Sequence, residues 1–223
     1  MDFYKPIKLP RGTHYGSNYF VVYSKKIDRI MRFYSALEYY NFLTLEMNPL
    51  VETFCEQPYE IQIFDEGINK KAIPDMWVRY TDKTEEFQEV KYASELEGKD
   101  DTSLRSQEQI QREKIWCANN HIGFKIRTEK EISLGRCYVM NLELLAAKNR
   151  IYQPIGNDYY TEMLKKVLED EKKTVKDLME RDILPQGRQW EHLSYLYYIG
   201  LLSMDIEHRP ISYKTEVYLC KMS

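Results

Sequence analysis

Residues 74–91 read PDMWVRYTDKTEEFQEVK, and this stretch decides the fold that we predict. Two runs rich in β-branched and aromatic residues, 76–80 and 87–91, lie on either side of a polar turn. Such runs favour strands, and a short polar connection favours a hairpin between them. The dipeptide Pro74-Asp75 precedes the first run, and Glu89-Val90-Lys91 ends the second. The stretch therefore predicts two antiparallel strands with ionisable side chains at one end of the hairpin.

The length of the turn decides which of these side chains meet. Alternation along the second strand places Glu89 and Lys91 on one face. A two-residue turn would pair Asp75 with Val90 and direct Asp75 to the opposite face. A loop one residue longer or shorter, a β-bulge, or irregular pairing at the start of the first strand would bring Asp75 to the face of Glu89 and Lys91.

Four triplets in the chain have an acidic residue followed two positions later by lysine. They begin at Glu89, Glu97, Asp170 and Glu171. Glu97 lies in a polar, loop-like stretch, and the last two lie in a charge-dense helical run typical of solvated surface. Only the triplet at Glu89 ends a strand pattern. We therefore interpret Asp75, Glu89 and Lys91 as a candidate catalytic set.

This set of residues suits the hydrolysis of a phosphodiester. Carboxylates are ligands that Mg²⁺ prefers, and a divalent cation neutralises the charge that develops on the phosphate. We expect Asp75 and Glu89 to bind Mg²⁺ or Mn²⁺, as one or two ions per site, with the Val90 backbone carbonyl as a further ligand. The Lys91 ammonium would orient the attacking water or stabilise the phosphorane.

Glu38 is a third carboxylate with two interpretations. A helix opened by Ser35 places Glu38 in its first turn, from which the side chain could reach the sheet edge and share the metal. Ser35-x-x-Glu38 is also the pattern of a capping box, in which Glu38 bonds back to the Ser35 amide. On local sequence alone, the capping interpretation is favoured.

The remaining pattern predicts two domains. After the helix from Ser35, the pattern of the first domain predicts strands over 59–64, 76–80 and 87–91. A helix over 103–119 and a further strand over 124–128 follow. This order is typical of an α/β fold with a mixed central sheet. From Asn141 the pattern is mainly helical and ends in two β-like runs around Arg209-Pro210, as in a winged-helix module. We predict a catalytic domain over 1–140 and a winged-helix domain over 141–223.

Composition excludes several classes of protein. The 223 residues are 43% hydrophobic and 30% charged, as in ordinary folded proteins, and no apolar run approaches a membrane span. The four cysteines are isolated, which argues against a disulfide framework or a structural zinc site. We expect a cytoplasmic protein without a membrane partner. Residues 1–36 have a charge of +5 and residues 37–101 of −10, so a basic N-terminal arm precedes an acidic region.

Four motifs together resemble one family. They are Ser35-Ala36-Leu37-Glu38, Phe54-Cys55-Glu56-Gln57-Pro58, Pro74-Asp75 and Glu89-Val90-Lys91. Their order and approximate spacing are similar to those of TnsA, the endonuclease subunit of heteromeric transposases. The family pattern is S-x-x-E, F-x-x-Q-P, P-D and (E/Q)-x-K in a restriction-endonuclease-like domain of the PD-(D/E)-x-K superfamily, followed by a winged-helix domain. The resemblance spans almost the whole chain.

The resemblance implies roles for individual residues and partners. Glu38, Asp75 and Lys91 match catalytic positions, and Glu89 matches a metal-liganding position that some members fill with Gln. Met76 stands where an aromatic residue is common. The implied activity is nicking of double-stranded DNA at the 5′ ends of a transposon. A TnsB-like transposase, which cuts and joins the 3′ ends, and a TnsC-like ATP-dependent regulator are the implied partners.

Two other functions fit the residues. A stand-alone restriction or junction-resolving nuclease of the same fold would cut DNA without partners. A non-catalytic DNA-binding or assembly protein would use the winged helix and leave the carboxylates as solvated surface. Because the helix over 190–199 has few cations, we expect protein contacts or weak DNA backbone contacts there.

Overall fold

The computed structural model of the chain describes residues 4–7, 18–65, 68–154, 159–169 and 171–220. Residues 1–3 and 8–17 of the predicted basic arm lie outside the described residues. The chain divides into two compact units, one over 1–45 and 50–132 and the other over 46–49 and 133–223. The predicted domain boundary at Asn141 stays a prediction, and Asn141 itself lies inside a helix of the second unit.

The first unit contains a mixed central sheet. Its helices and strands are β1 (Phe20–Ser24), β2 (Arg29–Phe33), α1 (Ala36–Glu46), β3 (Val51–Glu56), β4 (Ile61–Asp65), β5 (Ile68–Ala72), β6 (Met76–Tyr80), β7 (Glu85–Val90), α2 (Ala93–Glu97), α3 (Asp101–Asn119), β8 (Gly123–Arg127) and α4 (Glu129–Ile132). The central sheet has the order β3-β6-β7-β8. Strands β3, β6 and β7 are antiparallel neighbours, and β8 runs parallel to β7. The predicted α/β fold with a mixed central sheet is confirmed, and it fits a nuclease-like core.

Apolar side chains cover both faces of this sheet. On one face, Phe42 of α1 packs edge-on against Phe54 of β3 at 5.9 Å between ring centroids. On the other face, Cys117 of α3 packs in a buried cluster with Trp77 and Phe87. The sheet therefore lies between α1 and α3, and the period-two alternation of β6 and β7 assigns one set of side chains to each helix.

The prediction of which strands form the sheet was partly wrong. The run at 59–64 contains strand β4, but β4 pairs with β5 in a separate two-stranded sheet. The third antiparallel strand of the central sheet is β3, whose acidic residues hid its strand pattern. One of them, Glu56, is 1% exposed and is neutralised by an ion pair with Arg29. Residues 95–97, predicted as loop, belong to the short helix α2.

The second unit is mainly helical with a small sheet. Its helices and strands are α5 (Tyr138–Ile151), α6 (Tyr159–Leu168), β9 (Lys173–Thr174), α7 (Val175–Glu180), α8 (Gln189–Tyr198), β10 (Leu202–Met204) and β11 (Glu216–Leu219). The sheet order is β10-β11-β9, with antiparallel pairs. Thr174 caps α7, because its hydroxyl accepts a hydrogen bond from the Asp177 amide. None of the described helices is both long enough and apolar enough to span a bilayer.

Candidate active site

The β6–β7 hairpin has a three-residue loop. Arg79 pairs with Glu85, and the amide of Tyr80 donates to the carbonyl of Thr84 at 3.0 Å, which leaves residues 81–83 as the loop. Lys83, the last loop residue, adopts a left-handed conformation with φ +73°. A three-residue hairpin loop characteristically ends in such a residue. The loop is one residue longer than the two-residue turn that would have directed Asp75 to the opposite face.

This register brings Asp75 to the face of Glu89. Met76 pairs with Gln88, so Asp75, one residue earlier, lies opposite Glu89 at the end of the hairpin. Lys91 follows on the same face as Glu89. The condition set by the sequence is therefore met by the length of the loop, and Asp75, Glu89 and Lys91 lie together.

Two backbone segments hold Asp75 in place. Its Oδ2 accepts a hydrogen bond from the Val90 amide at 2.7 Å, and its carbonyl accepts one from the Gln57 amide at 3.1 Å. The same register would place Pro74 opposite Val90, and Pro74 has no amide to donate to the Val90 carbonyl. Since the N–H and C=O of one strand residue point to the same side, the Val90 carbonyl is directed towards the Asp75 end of β6.

Glu89 and Lys91 form a shielded ion pair. Lys91 Nζ lies 2.9 Å from Glu89 Oε1, and the two side chains are 20% and 1% exposed. Burial alone would lower the pKa of Lys91, but the carboxylates of Glu89 and Asp75 outweigh burial and raise it. Burial, with Asp75 and Glu113 nearby, raises the pKa of Glu89 well above its ordinary value. Because its own pKa is raised, Lys91 remains a cation at neutral pH.

Glu38 makes only part of the predicted capping box. The Glu38 amide donates to the Ser35 hydroxyl at 3.1 Å, which is the expected cap. The Glu38 carboxylate, however, accepts from the amide of Tyr34 at 3.2 Å. Burial and the charge of Asp75 raise the pKa of Glu38 to about 7, and Lys91 works in the opposite direction. The carboxyl group is thus close enough to Asp75 and Lys91 to interact with both charges.

The sequence analysis missed two residues of helix α3 that lie beside this site. Gln109 Nε2 donates to Glu89 Oε1 at 3.0 Å and to Glu113 Oε1 at 2.9 Å. Glu113 is 0% exposed, and burial raises its pKa to about 7. The i, i+4 spacing of Gln109 and Glu113, on the helix face that also buries Cys117, was the available signal.

Other polar residues of α3 make contacts away from the carboxylates of the site. Gln107 donates to the carbonyls of Leu96 and Gly98 and holds the segment between α2 and α3. Gln111 is exposed, and Arg112 pairs with Glu108 at 3.4 Å.

The donor set fits a divalent cation that also uses substrate and water as ligands. Within the described ranges, no three His, Cys, Asp or Glu side chains form a ready-made metal site. However, Oε2 of Glu89 and Oε2 of Glu113 are both buried without a hydrogen-bond donor there. Mg²⁺ is usually bound by one or two carboxylates, with substrate phosphates and waters completing the shell. Asp75 and Glu89, at the end of the hairpin opposite its loop, provide two such carboxylates.

One family model matches the chain. Residues 48–129 match the model described as TnsA-like endonuclease N terminal. The matched segment begins before β3 and ends in α4, so it contains Asp75, Glu89, Lys91 and Glu113 but not Glu38. No curated protein matches the sequence.

Proposed function

We propose that the chain, whose residues 48–129 match the TnsA-like endonuclease model, is the metal-dependent subunit that nicks the 5′ ends of a transposon. The observation that supports this activity best is the convergence of Asp75, Glu89 and Lys91 at one end of the β6–β7 hairpin. Their arrangement combines hard oxygen ligands with a fixed cation, which are the two components that phosphodiester hydrolysis requires.

Asp75 and Glu89 are the proposed ligands of Mg²⁺ or Mn²⁺. The Val90 carbonyl and Glu38 are the proposed further ligands. The Val90 carbonyl is on the side of β7 whose amide bonds Asp75, and the Glu38 carboxyl group interacts with the charge of Asp75. When bound, the cation neutralises charge on the scissile phosphate and makes a water molecule a better nucleophile. The Asp75–Val90 hydrogen bond fixes one carboxylate oxygen of Asp75 beside the end of β7.

Lys91 is the proposed catalytic cation. Its ammonium is held by Glu89 and is partly exposed, so it can reach a bound phosphate without leaving its ion pair. A fixed positive charge beside the phosphate stabilises the negative charge that accumulates in the transition state. The same ammonium can donate a hydrogen bond to the attacking water and orient it.

The second unit is proposed to be the winged-helix domain of this subunit. Its order of helices followed by the β10–β11 hairpin, with β9 added as a third strand, supports this assignment. We propose that this domain contacts the TnsC-like regulator and that a TnsB-like transposase cuts the 3′ ends. Helix α8 contains no Lys or Arg, so a protein partner suits it better than the DNA backbone.

The direct test is cleavage of double-stranded DNA that contains transposon ends, with Mg²⁺ and with or without the TnsB-like and TnsC-like subunits. We expect 5′-end nicking only when all subunits are present. Asp75→Ala and Lys91→Ala should each reduce nicking by at least about 100-fold. Lys114→Ala, an exposed substitution on α3, is the matched control and should leave nicking intact.

Two results would contradict the proposal. Undiminished nicking by Asp75→Ala and Lys91→Ala would show that other residues hydrolyse the phosphodiester. Efficient, sequence-selective cutting by the isolated protein would instead support a stand-alone nuclease.

A further inference from the structure

Helix α3 positions Gln109 and Glu113 one helical turn apart against the buried end of β7. A single nitrogen, Gln109 Nε2, donates to Glu89 Oε1 and to Glu113 Oε1 at 3.0 and 2.9 Å. Both hydrogens of the amide are therefore used, one for each carboxylate. Gln109 fixes the orientation of Glu89 relative to Glu113.

The two carboxylates have one satisfied and one unsatisfied oxygen each. Oε1 of Glu89 also lies 2.9 Å from Lys91 Nζ, so this oxygen has two donors. Oε2 of Glu89 and Oε2 of Glu113 have no donor among the described residues, and the two residues are 1% and 0% exposed. A buried carboxylate oxygen without a donor or a cation is strongly unfavourable.

Three carboxyl groups and one ammonium group lie together at this site. Glu113 interacts electrostatically with Asp75 and Lys91, and its carboxyl group lies within hydrogen-bonding reach of that of Glu89. With all three carboxylates ionised, the single ammonium of Lys91 leaves a net charge of about −2. A divalent cation would restore neutrality and supply a partner for the unsatisfied oxygens.

We propose that Glu113 is an additional ligand of the divalent cation in this site and that Gln109 is a positioning residue that orients Glu89 and Glu113 towards it. The inference rests on the proposed nuclease function. It adds to the hairpin carboxylates a ligand from α3, the helix that packs on their face of the sheet. The cation would then tie α3 to β7 as well as bind substrate.

A purely structural role for Glu113 makes a different prediction. In that case Glu89 and Glu113 would share a proton and exclude the cation from between them. Glu113→Gln has nearly the same shape and can donate a hydrogen bond to Glu89, so it would preserve such a structural pair. The same substitution would remove a charged cation ligand. Cation affinity therefore separates the two roles.

The experiment is a titration of the full chain with Mn²⁺ alone, in which free Mn²⁺ is measured by electron paramagnetic resonance. The variants are Glu113→Gln, Gln109→Leu and, as a control, Glu108→Gln, which alters a 67% exposed side chain on the same helix. Circular dichroism checks the fold of each variant. We expect Glu113→Gln to raise the Mn²⁺ dissociation constant by at least about tenfold and Gln109→Leu to raise it less, with Glu108→Gln unchanged.

The results distinguish failure of the Glu113 role from failure of the proposed nuclease function. If the wild type binds Mn²⁺ and nicks DNA while Glu113→Gln and Gln109→Leu bind Mn²⁺ as tightly as the wild type, the role of Glu113 is refuted and the nuclease function stands. If Glu113→Gln does not fold, unchanged affinity of Gln109→Leu refutes the inference and weakened affinity supports it. If the wild type neither binds Mn²⁺ nor nicks DNA, the proposed function fails and the inference fails with it.

Discussion

The carboxylate of Asp75 accepts a hydrogen bond from the backbone amide of Val90 at 2.7 Å. This bond joins the residue that precedes β6 to the last residue of β7, just beyond the pair of Met76 and Gln88. It makes the position of Asp75 depend on the register of the hairpin. The length of a surface loop, remote from the carboxylates, therefore determines whether the candidate site forms.

Shortening this loop should inactivate the protein. Asp82→Gly/Lys83→Ser favours a two-residue type II′ turn at 82–83, which would pair Asp75 with Val90 and separate it from Glu89 and Lys91. We expect nicking to fall by at least about 100-fold, because small displacements of catalytic groups cost this much. The measurement is the nicking rate, with circular dichroism to verify folding.

Lys83→Gly is the matched control for this double substitution. It keeps the loop length, and glycine readily adopts the φ of +73° found at this position. We expect nicking to be retained. Equal activity of Asp82→Gly/Lys83→Ser and the wild type would show that the register of β6 and β7 does not position the site.

Replacement of Glu89 should change the metal requirement. Glu89→Gln keeps the shape of the side chain but removes one negative charge and the ion pair with Lys91. Because cation affinity rises with the charge of the ligands, we expect half-maximal nicking to need roughly tenfold more Mg²⁺. Glu89→Ala should remove nicking at all Mg²⁺ concentrations. An unchanged Mg²⁺ dependence of Glu89→Gln would exclude Glu89 as a charged ligand.

The metal-free protein should lose stability as pH rises. Burial raises the pKa of Glu38 and of Glu113 from 4.5 to about 7, so the folded state binds more protons than the unfolded state between these values. This contribution to stability is complete below pH 4.5 and is lost as pH rises through about 7. We expect the free energy of unfolding, measured by urea denaturation with a chelator present, to fall between about pH 5 and pH 8.

Divalent cations should reverse this loss. Cations bind ionised carboxylates, so added Mn²⁺ should raise the melting temperature more at pH 8 than at pH 5.5, by roughly 5 °C at saturating concentration. The double variant Glu38→Gln/Glu113→Gln should flatten the pH dependence of unfolding. Stability that increases over this pH range in the wild type would mean that the two carboxyl groups ionise normally in the fold.

The ion pair between Arg29 and Glu56 should contribute strongly to folding of the first unit. Arg29 Nη1 and Nη2 bond both oxygens of Glu56 at 2.8 and 2.5 Å, and the Glu56 side chain is 2% exposed. Arg29→Ala leaves a buried carboxylate without its partner, so we expect a loss of about 2–3 kcal/mol in the free energy of unfolding. The measurement is urea denaturation.

The exposed pair of Lys71 and Glu60 is the control for this prediction. Its side chains are 58% and 36% exposed, and Lys71→Ala should change stability by less than about 1 kcal/mol. Equal effects of Arg29→Ala and Lys71→Ala would contradict a structural role for the buried pair. Such a role is relevant to the site, because the next residue, Gln57, bonds the Asp75 carbonyl.

The order of helices and strands could be predicted largely from local patterns. Residues 76–80 and 87–91 have the β-branched and aromatic composition of strands, and the helix from Ser35 has a recognisable cap. Strand β3 could not be predicted in this way, because its Glu52 and Glu56 are neutralised by Arg79 and Arg29, which are distant in sequence. Burial of a paired charge is a tertiary effect that a strand pattern does not contain.

The candidate site was predictable where it lies on the hairpin and unpredictable where it lies on α3. The dipeptide Pro74-Asp75 and the triplet at Glu89 are close in sequence, so their spacing limits the geometry. Glu113 lies 24 residues beyond Glu89, on a helix rich in charged residues. Only the packing of α3 against the Cys55, Trp77 and Phe87 face of the sheet distinguishes Glu113 from its exposed neighbours.

The most direct test of a cation site formed by Asp75 and Glu89 is a crystal structure of the protein soaked in Mn²⁺, with the ion located by anomalous scattering. We predict an Mn²⁺ peak about 2.0–2.2 Å from a carboxylate oxygen of Asp75 and from one of Glu89, beside Lys91. Mn²⁺ bound only elsewhere on the protein, with both carboxylates unliganded at saturating concentration, would contradict the account.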